Sequence, residues 1–239
     1  MEQFSRTERL LGRAAMEKLA ASRVALFGIG GVGGCVAEAL IRSGLGALDF
    51  FDDDVVAPSN LNRQIIATHD TLGMPKVEAM TARLRAINPD ARLGGRALFY
   101  LPENADQVDL SRYDYIVDAV DTVAAKLELA VRARDLGVPI ISAMGAGNRL
   151  DPTKLTVKDL YSTEGCPLAR VMRRELRKRG VERLKVVCST EPARTPLDGP
   201  GDGNAHPRRS VPGSNAFVPP AMGLVIAAEV VKDLTGIML

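Results

Sequence analysis

Val24-Ala25-Leu26-Phe27-Gly28-Ile29-Gly30-Gly31-Val32-Gly33-Gly34 is the stretch on which the reading of this chain turns. An apolar run of strand composition feeds a glycine cluster, and a helical pattern begins at Val36. Glycines let the backbone turn tightly and bring its N–H groups against a phosphate, which a helix N-terminus also favours. A second apolar run, residues 47–51, ends at Asp52, 19 residues after Gly33. That is where a carboxylate would meet a ribose in a nucleotide-binding fold. Gly28, Gly30, Gly31, Gly33 and Asp52 therefore predict a nucleotide site, and by themselves leave the nucleotide open.

The bulk properties narrow the setting. With 239 residues, 46% hydrophobic and 25% charged, the chain has the composition of one large soluble α/β domain. A net charge of +2 means that any nucleic-acid contact must come from local clustering. Cys35, Cys166 and Cys188 are sparse and form no CxxC pair, which points to a reducing compartment and predicts no structural zinc. The N-terminus shows no secretory h-region, and Glu229, Lys232 and Asp233 interrupt the most apolar tail, so the reading is cytoplasmic with no membrane insertion.

Outward from the glycine stretch, strands and helices alternate. Residues 5–21 read as a helix, 32–43 as a second, and 75–87 as a third stopped by Asn88-Pro89. A strand is predicted over 92–99, another in 113–121, a helix over 123–136 closed by Gly137, and a strand over 140–143. This alternation predicts a Rossmann-like, doubly wound, mainly parallel sheet with flanking helices and a C-terminal strand/helix extension. Residues 1–145 form the ATP-binding core of a single domain, and 146–239 a substrate-side extension. In the extension, 166–179 reads as a basic helix, 184–189 and 216–218 as strands, 192–214 as a mobile loop, and 220–234 as a helix.

The surrounding polar residues change the reading of the glycines. Gly28-Ile29-Gly30-Gly31-Val32-Gly33, Asp52-Asp53-Asp54, Ser59-Asn60-Leu61-Asn62-Arg63-Gln64, Lys76 and Val117-Asp118-Ala119-Val120-Asp121 follow one another in order. Transfer of an adenylyl group to a carboxylate spreads negative charge over the phosphates, so it needs cations, N–H donors and Mg²⁺. Arg63 and Lys76 supply cations, and Asp121 a hard oxygen ligand. The combination resembles the adenylating enzymes of the ubiquitin-activating and ThiF/MoeB (HesA/MoeB/ThiF) superfamily.

That resemblance implies roles. Asp52 would hold the ribose hydroxyls; Asn60, Arg63 and Lys76 the phosphates; Asp121 Mg²⁺ or the α-phosphate. Ser59 and Asp54 join the ATP-binding set, the DxD pattern favouring Asp54 over Asp53. Arg9, in Arg6-Thr7-Glu8-Arg9, would reach the γ-phosphate of a partner subunit, which makes a homodimer the expected unit. Singly, Arg63 and Lys76 also read as surface residues, Arg9 as a helix-start arginine, and Asp118 as the end of a strand.

The second half resembles one branch, the tRNA threonylcarbamoyladenosine dehydratases, through Gly145-Ala146-Gly147, Leu150-Asp151-Pro152-Thr153, Pro167-Leu168-Ala169-Arg170, Ser189-Thr190-Glu191 and Phe217-Val218-Pro219. Cys166 departs from the pattern, which has an acidic residue before Pro167. The branch implies an ATP-using, ligase-like enzyme that adenylates the threonyl carboxylate, after which the carbamoyl nitrogen closes a ring. Arg170, Arg173, Arg174, Arg177 and Lys178 are candidate tRNA contacts, and a sulfur-transfer protein is a candidate partner. Two alternatives stay open: adenylation of the C-terminus of a ubiquitin-like or sulfur-carrier protein, and an NAD- or FAD-binding oxidoreductase. Cys188, among apolar strand neighbours, reads as a buried, inert thiol.

Overall fold

A computed structural model describes residues 2–197 and 212–237. Its centre is a seven-stranded sheet in the order β3-β2-β1-β4-β5-β7-β6. The strands are β1 (Arg23–Phe27), β2 (Ala47–Phe51), β3 (Arg92–Arg96), β4 (Tyr115–Asp118), β5 (Ile140–Ala143), β6 (Leu155–Asp159) and β7 (Lys185–Ser189). All pairs are parallel except β6–β7, where Thr156 lies opposite Cys188. The helices are α1 (Ser5–Leu11), α2 (Arg13–Ala21), α3 (Gly33–Arg42), α4 (Lys76–Ile87), α5 (Val123–Leu136), α6 (Pro167–Lys178) and α7 (Val218–Thr235).

Side chains alternate across each strand, so β1 serves two cores. Val24 and Leu26 pack with residues of α3, α4 and α7, and Ala25 and Phe27 pack with α5 and Tyr100 on the other face. A further cluster joins α5 to α6 through Leu127, Met172 and Leu176. The chain leaves β1 for β2 and β3 on one side and returns to β4 and β5 on the other. The reversal between β1 and β4 opens a crevice at the strands' carboxyl ends, the place where such sheets bind ligands.

The expected doubly wound sheet is present, with four local corrections. Helix 5–21 is two helices, because Gly12 takes φ +81° and breaks the register. The 92–99 strand stops at Arg96, where its pairing to β2 ends. Residues 216–218 are not a strand: the Asn215 Oδ1 accepts the N–H groups of Phe217 and Val218, and Val218 opens α7. β6, over which no element was expected, is the antiparallel edge strand. Of the 192–214 loop, residues 192–197 and 212–214 carry no helix or strand, and 198–211 lie outside the described residues. Among the described residues no helix is long and apolar enough to cross a membrane.

Candidate active site

The glycine turn is built by contact. Gly28 takes φ +83°, and a Cβ there would stand 2.7 Å from the Ala119 carbonyl oxygen; a Cβ on Gly33 would stand 1.8 Å from the Gly28 carbonyl oxygen. Gly33 thus lets the helix start touch the strand end and does not line the cleft, whereas Gly28, Gly30 and Gly31 do. The cleft above them, about 640 Å³, is also lined by Asp52, Asp53, Asp54, Asn60, Arg63, Lys76, Asp121, Ala146 and Gly147. The segments after β1, β2 and β4, which the sequence spacing brings together, converge here with those after β3 and β5 and with the 58–64 turn.

Asp52 is tied to the turn that it faces. Its carboxylate accepts the Ile29 N–H at 2.8 Å and the Asp54 N–H at 3.0 Å. Burial pushes its pKa above the ordinary carboxylate value, against the pull of Lys76 and these two bonds. Lys76, at the first turn of α4, has only 5% of its side chain exposed; its Nζ lies 2.6 Å from Asp54 Oδ2 and 3.7 Å from Asp52 Oδ1. A cation so desolvated is rigid, and Asp54, 66% exposed, can swing away to leave it facing a phosphate.

Asn60 is buried and uses its Oδ1 to accept the Ala57 N–H, closing the turn. Arg63 donates to the Ser59 carbonyl and to Asn62 Oδ1, both at 2.8 Å, and pairs with no carboxylate among the described residues. Ser59 is exposed and meets Arg63 through its backbone, outside the cleft lining. Asp121 stands at the cleft's edge with only the Thr122 hydroxyl, 3.4 Å away, on its carboxylate among the described residues. Oxygens of Asp52, Asp53 and Asp54 come within 4.8 Å of one another, and Lys76 pairs with two of the three.

Arg9 is exposed, lies outside the cleft and makes no side-chain hydrogen bond or ion pair among the described residues. Asp118 does more than end a strand: it is buried and paired with Lys126 at 3.1 Å, a partner that local sequence reading missed. Reading also missed the aromatic wall of Phe51, Phe99 and Tyr100, whose signal was the apolar Leu98-Phe99-Tyr100 run after β3. Cys188 is buried with its pKa raised by burial, as expected of an inert thiol; Cys35 and Cys166 are buried too.

The expected basic face of α6 is partly consumed. Arg173 donates to Thr163, Arg177 lies over the Tyr161 ring at 5.2 Å, and Arg174, Lys178 and Arg179 surround Glu175, whose carboxyl these three hydrogen-bond partners hold down at about 2. Arg170 is exposed, with no side-chain partner among the described residues.

A model of the ThiF family matches residues 4–238, and the chain belongs to that family. It is 39% identical to a tRNA threonylcarbamoyladenosine dehydratase of Bacillus subtilis, over 98% of this chain and 95% of that protein. To the Escherichia coli protein of the same name it is 40% identical over 74% of this chain and 66% of the relative. Solved structures of that E. coli enzyme, TcdA, in complex with AMP and with ATP superpose with TM-scores of 0.87 and 0.86 at 33% identity, covering 98% of this chain and 94% of theirs.

Proposed function

We propose that this protein is an ATP-dependent dehydratase of threonylcarbamoyladenosine in tRNA. The carrying observation is the convergence of the glycine turn, Asp52, Asn60, Arg63, Lys76 and Asp121 on one cleft, in a chain aligned nearly end to end with a dehydratase of that name. The threonyl carboxylate attacks the α-phosphorus of ATP and pyrophosphate leaves. The neighbouring carbamoyl group then attacks the acyl carbon, AMP leaves and a ring closes, with net loss of one water. The second step needs no catalytic thiol, because the nucleophile is held beside its target by the substrate itself.

In this reading Asp52 holds the ribose, the Gly30 and Gly31 amides and Asn60 face the phosphates, and Lys76 and Arg63 take the charge that develops on them. Asp121 would hold Mg²⁺, which supplies Lewis-acid neutralisation of the phosphates. Arg9, exposed and outside its own cleft, reaches the γ-phosphate of a second subunit in a homodimer; the exposed Leu10 beside it belongs to the same contact. Arg170 and the outer cations of α6 meet the tRNA backbone. The enzyme works in the cytoplasm, where a sulfur-transfer protein is a further partner.

Incubation with ATP, Mg²⁺ and tRNA carrying the modified base tests the reading: the nucleoside should lose the mass of one water as AMP accumulates. Unchanged mass with no AMP overturns it. Mixing Arg9→Ala with Lys76→Met subunits tests the dimer, since hybrids regain one intact site only if Arg9 acts across the interface.

A further inference from the structure

Beneath the cleft, out of contact with solvent, lies a second lysine–aspartate pair. Lys126 and Asp118 side chains are 0% and 1% exposed. The Lys126 Nζ lies 3.1 Å from both Asp118 oxygens, 3.2 Å from Ser142 Oγ and 2.7 Å from the Ala143 carbonyl oxygen. The Ser142 hydroxyl donates to Asp118 Oδ2 at 2.5 Å, and Asp118 Oδ1 accepts the Val120 N–H at 3.3 Å. One ammonium thus ties together the end of β4, the first turn of α5 and the end of β5.

Local energetics do not account for a lysine here. A cation in the first turn of a helix opposes the helix dipole, and burial of an ion pair is repaid only by near-complete hydrogen bonding. What the lysine does is geometric. The segment after Asp118 carries Ala119, Val120 and Asp121 into the cleft lining, and the segment after Ala143, from the adjacent strand, carries Ala146 and Gly147 into the same lining. Neither segment includes Lys76 or Arg63. The node therefore sets the spacing between Asp121 and the 144–147 segment, while the phosphate cations are held separately by α4 and the 58–64 turn.

We propose that Lys126 is a positioning residue for adenylyl transfer: through Asp118, Ser142 and Ala143 it fixes Asp121 and the 144–147 segment relative to each other, without contributing to nucleotide affinity. This rests on the function proposed above. A misplacement on the ångström scale costs rate far more than binding, which defines the test.

Lys126→Met alone leaves a buried carboxylate and is expected to unfold more readily. The triple variant Asp118→Leu, Lys126→Met, Ser142→Ala removes the node together and should recover most of the melting temperature. For that folded triple variant, calorimetric Kd for ATP should stay within about threefold of wild type, while kcat for AMP release with modified tRNA falls about 100-fold. Amide exchange should rise together in 119–122 and 143–147 and stay unchanged in 58–64. Recovery of kcat with melting temperature, a Kd that rises as much as kcat falls, or unchanged exchange in the two segments overturns the proposal. Failure of wild type to form AMP sinks the function instead, and the exchange result still decides the role of Lys126.

Discussion

Asp52 follows β2 directly and Asp118 closes β4, and each has a lysine from the following helix, yet the two pairs are built to opposite specifications. Asp118 and Lys126 are sealed and saturated with internal partners. Asp52 and Lys76 line an open cleft, 3.7 Å apart, and Lys76 shares itself with a well-exposed Asp54. The sealed pair has no valence left for a ligand and serves as scaffold. The open pair is held by backbone N–H groups and a replaceable carboxylate, so a ribose and a phosphate can take over its contacts. Pair chemistry is the same; what surrounds it decides the use.

Substituting the lysines separates the pairs most strongly. Lys126→Met, which strands a buried carboxylate, should lower unfolding free energy by about 3–5 kcal/mol in urea titrations. Lys76→Met leaves Asp54 in solvent but strands the largely buried Asp52, which still accepts two backbone N–H bonds, and should cost a smaller amount, about 1–3 kcal/mol, while AMP formation falls about 100- to 1,000-fold. Equal stability losses would erase the distinction.

The glycines sharpen it next. Gly33→Ala drives a Cβ into the Gly28 carbonyl and should cost about 1–3 kcal/mol by forcing the turn to move. Gly30→Ala meets nothing nearer than the Gln64 Nε2 at 3.7 Å, so its stability should hold within about 0.5 kcal/mol while ATP affinity, measured by calorimetry, declines.

Asp52 gives a smaller, pH-dependent effect. Its folded pKa is raised above the ordinary 3.8, so the folded state holds that proton longer than the unfolded state. Stability from this group is full below 3.8 and is lost as pH rises through the raised folded value. Asp52→Asn should therefore gain melting temperature relative to wild type across that window and level off above it, while losing ATP affinity. A gain confined to acid pH would contradict the burial of Asp52. Smallest of all, Arg170→Ala should reduce the salt slope of tRNA binding by about one phosphate contact, with no change in ATP affinity.

Much of the fold was legible because its signals are local. Residues 47–51, 123–136 and 140–143 took the predicted states at the predicted bounds, since Gly44, Gly137 and Pro139 punctuate unambiguous apolar patterns. The misses came from tertiary competition. Leu155–Asp159 is a half-buried edge strand whose pairing partner lies about 30 residues away. Ala216-Phe217-Val218 has strand composition, but the Asn215 cap and the prolines at the start of α7 suit a helix start. In the cleft, Asp52, Arg63, Lys76 and Asp121 were legible from ordered spacing. Phe99 and Tyr100 were not, because an apolar run after a strand reads equally well as core.

By itself the sequence determined the alternation of strands and helices, hence a mainly parallel, doubly wound sheet, and the residue types that gather at the strands' carboxyl ends. Only the tertiary structure decided how each strand-end aspartate is covered, and that Asp118 is sealed against a lysine. Both Asp52 and Asp118 follow an apolar strand, and nothing within a few residues tells them apart. Asp118 is covered because Ser142 and Ala143 arrive from the neighbouring strand and Lys126 folds back from α5. Over Asp52 the chain reversal leaves the sheet open. Burial is set by what packs from a distance, and that is where a local pattern stops carrying information.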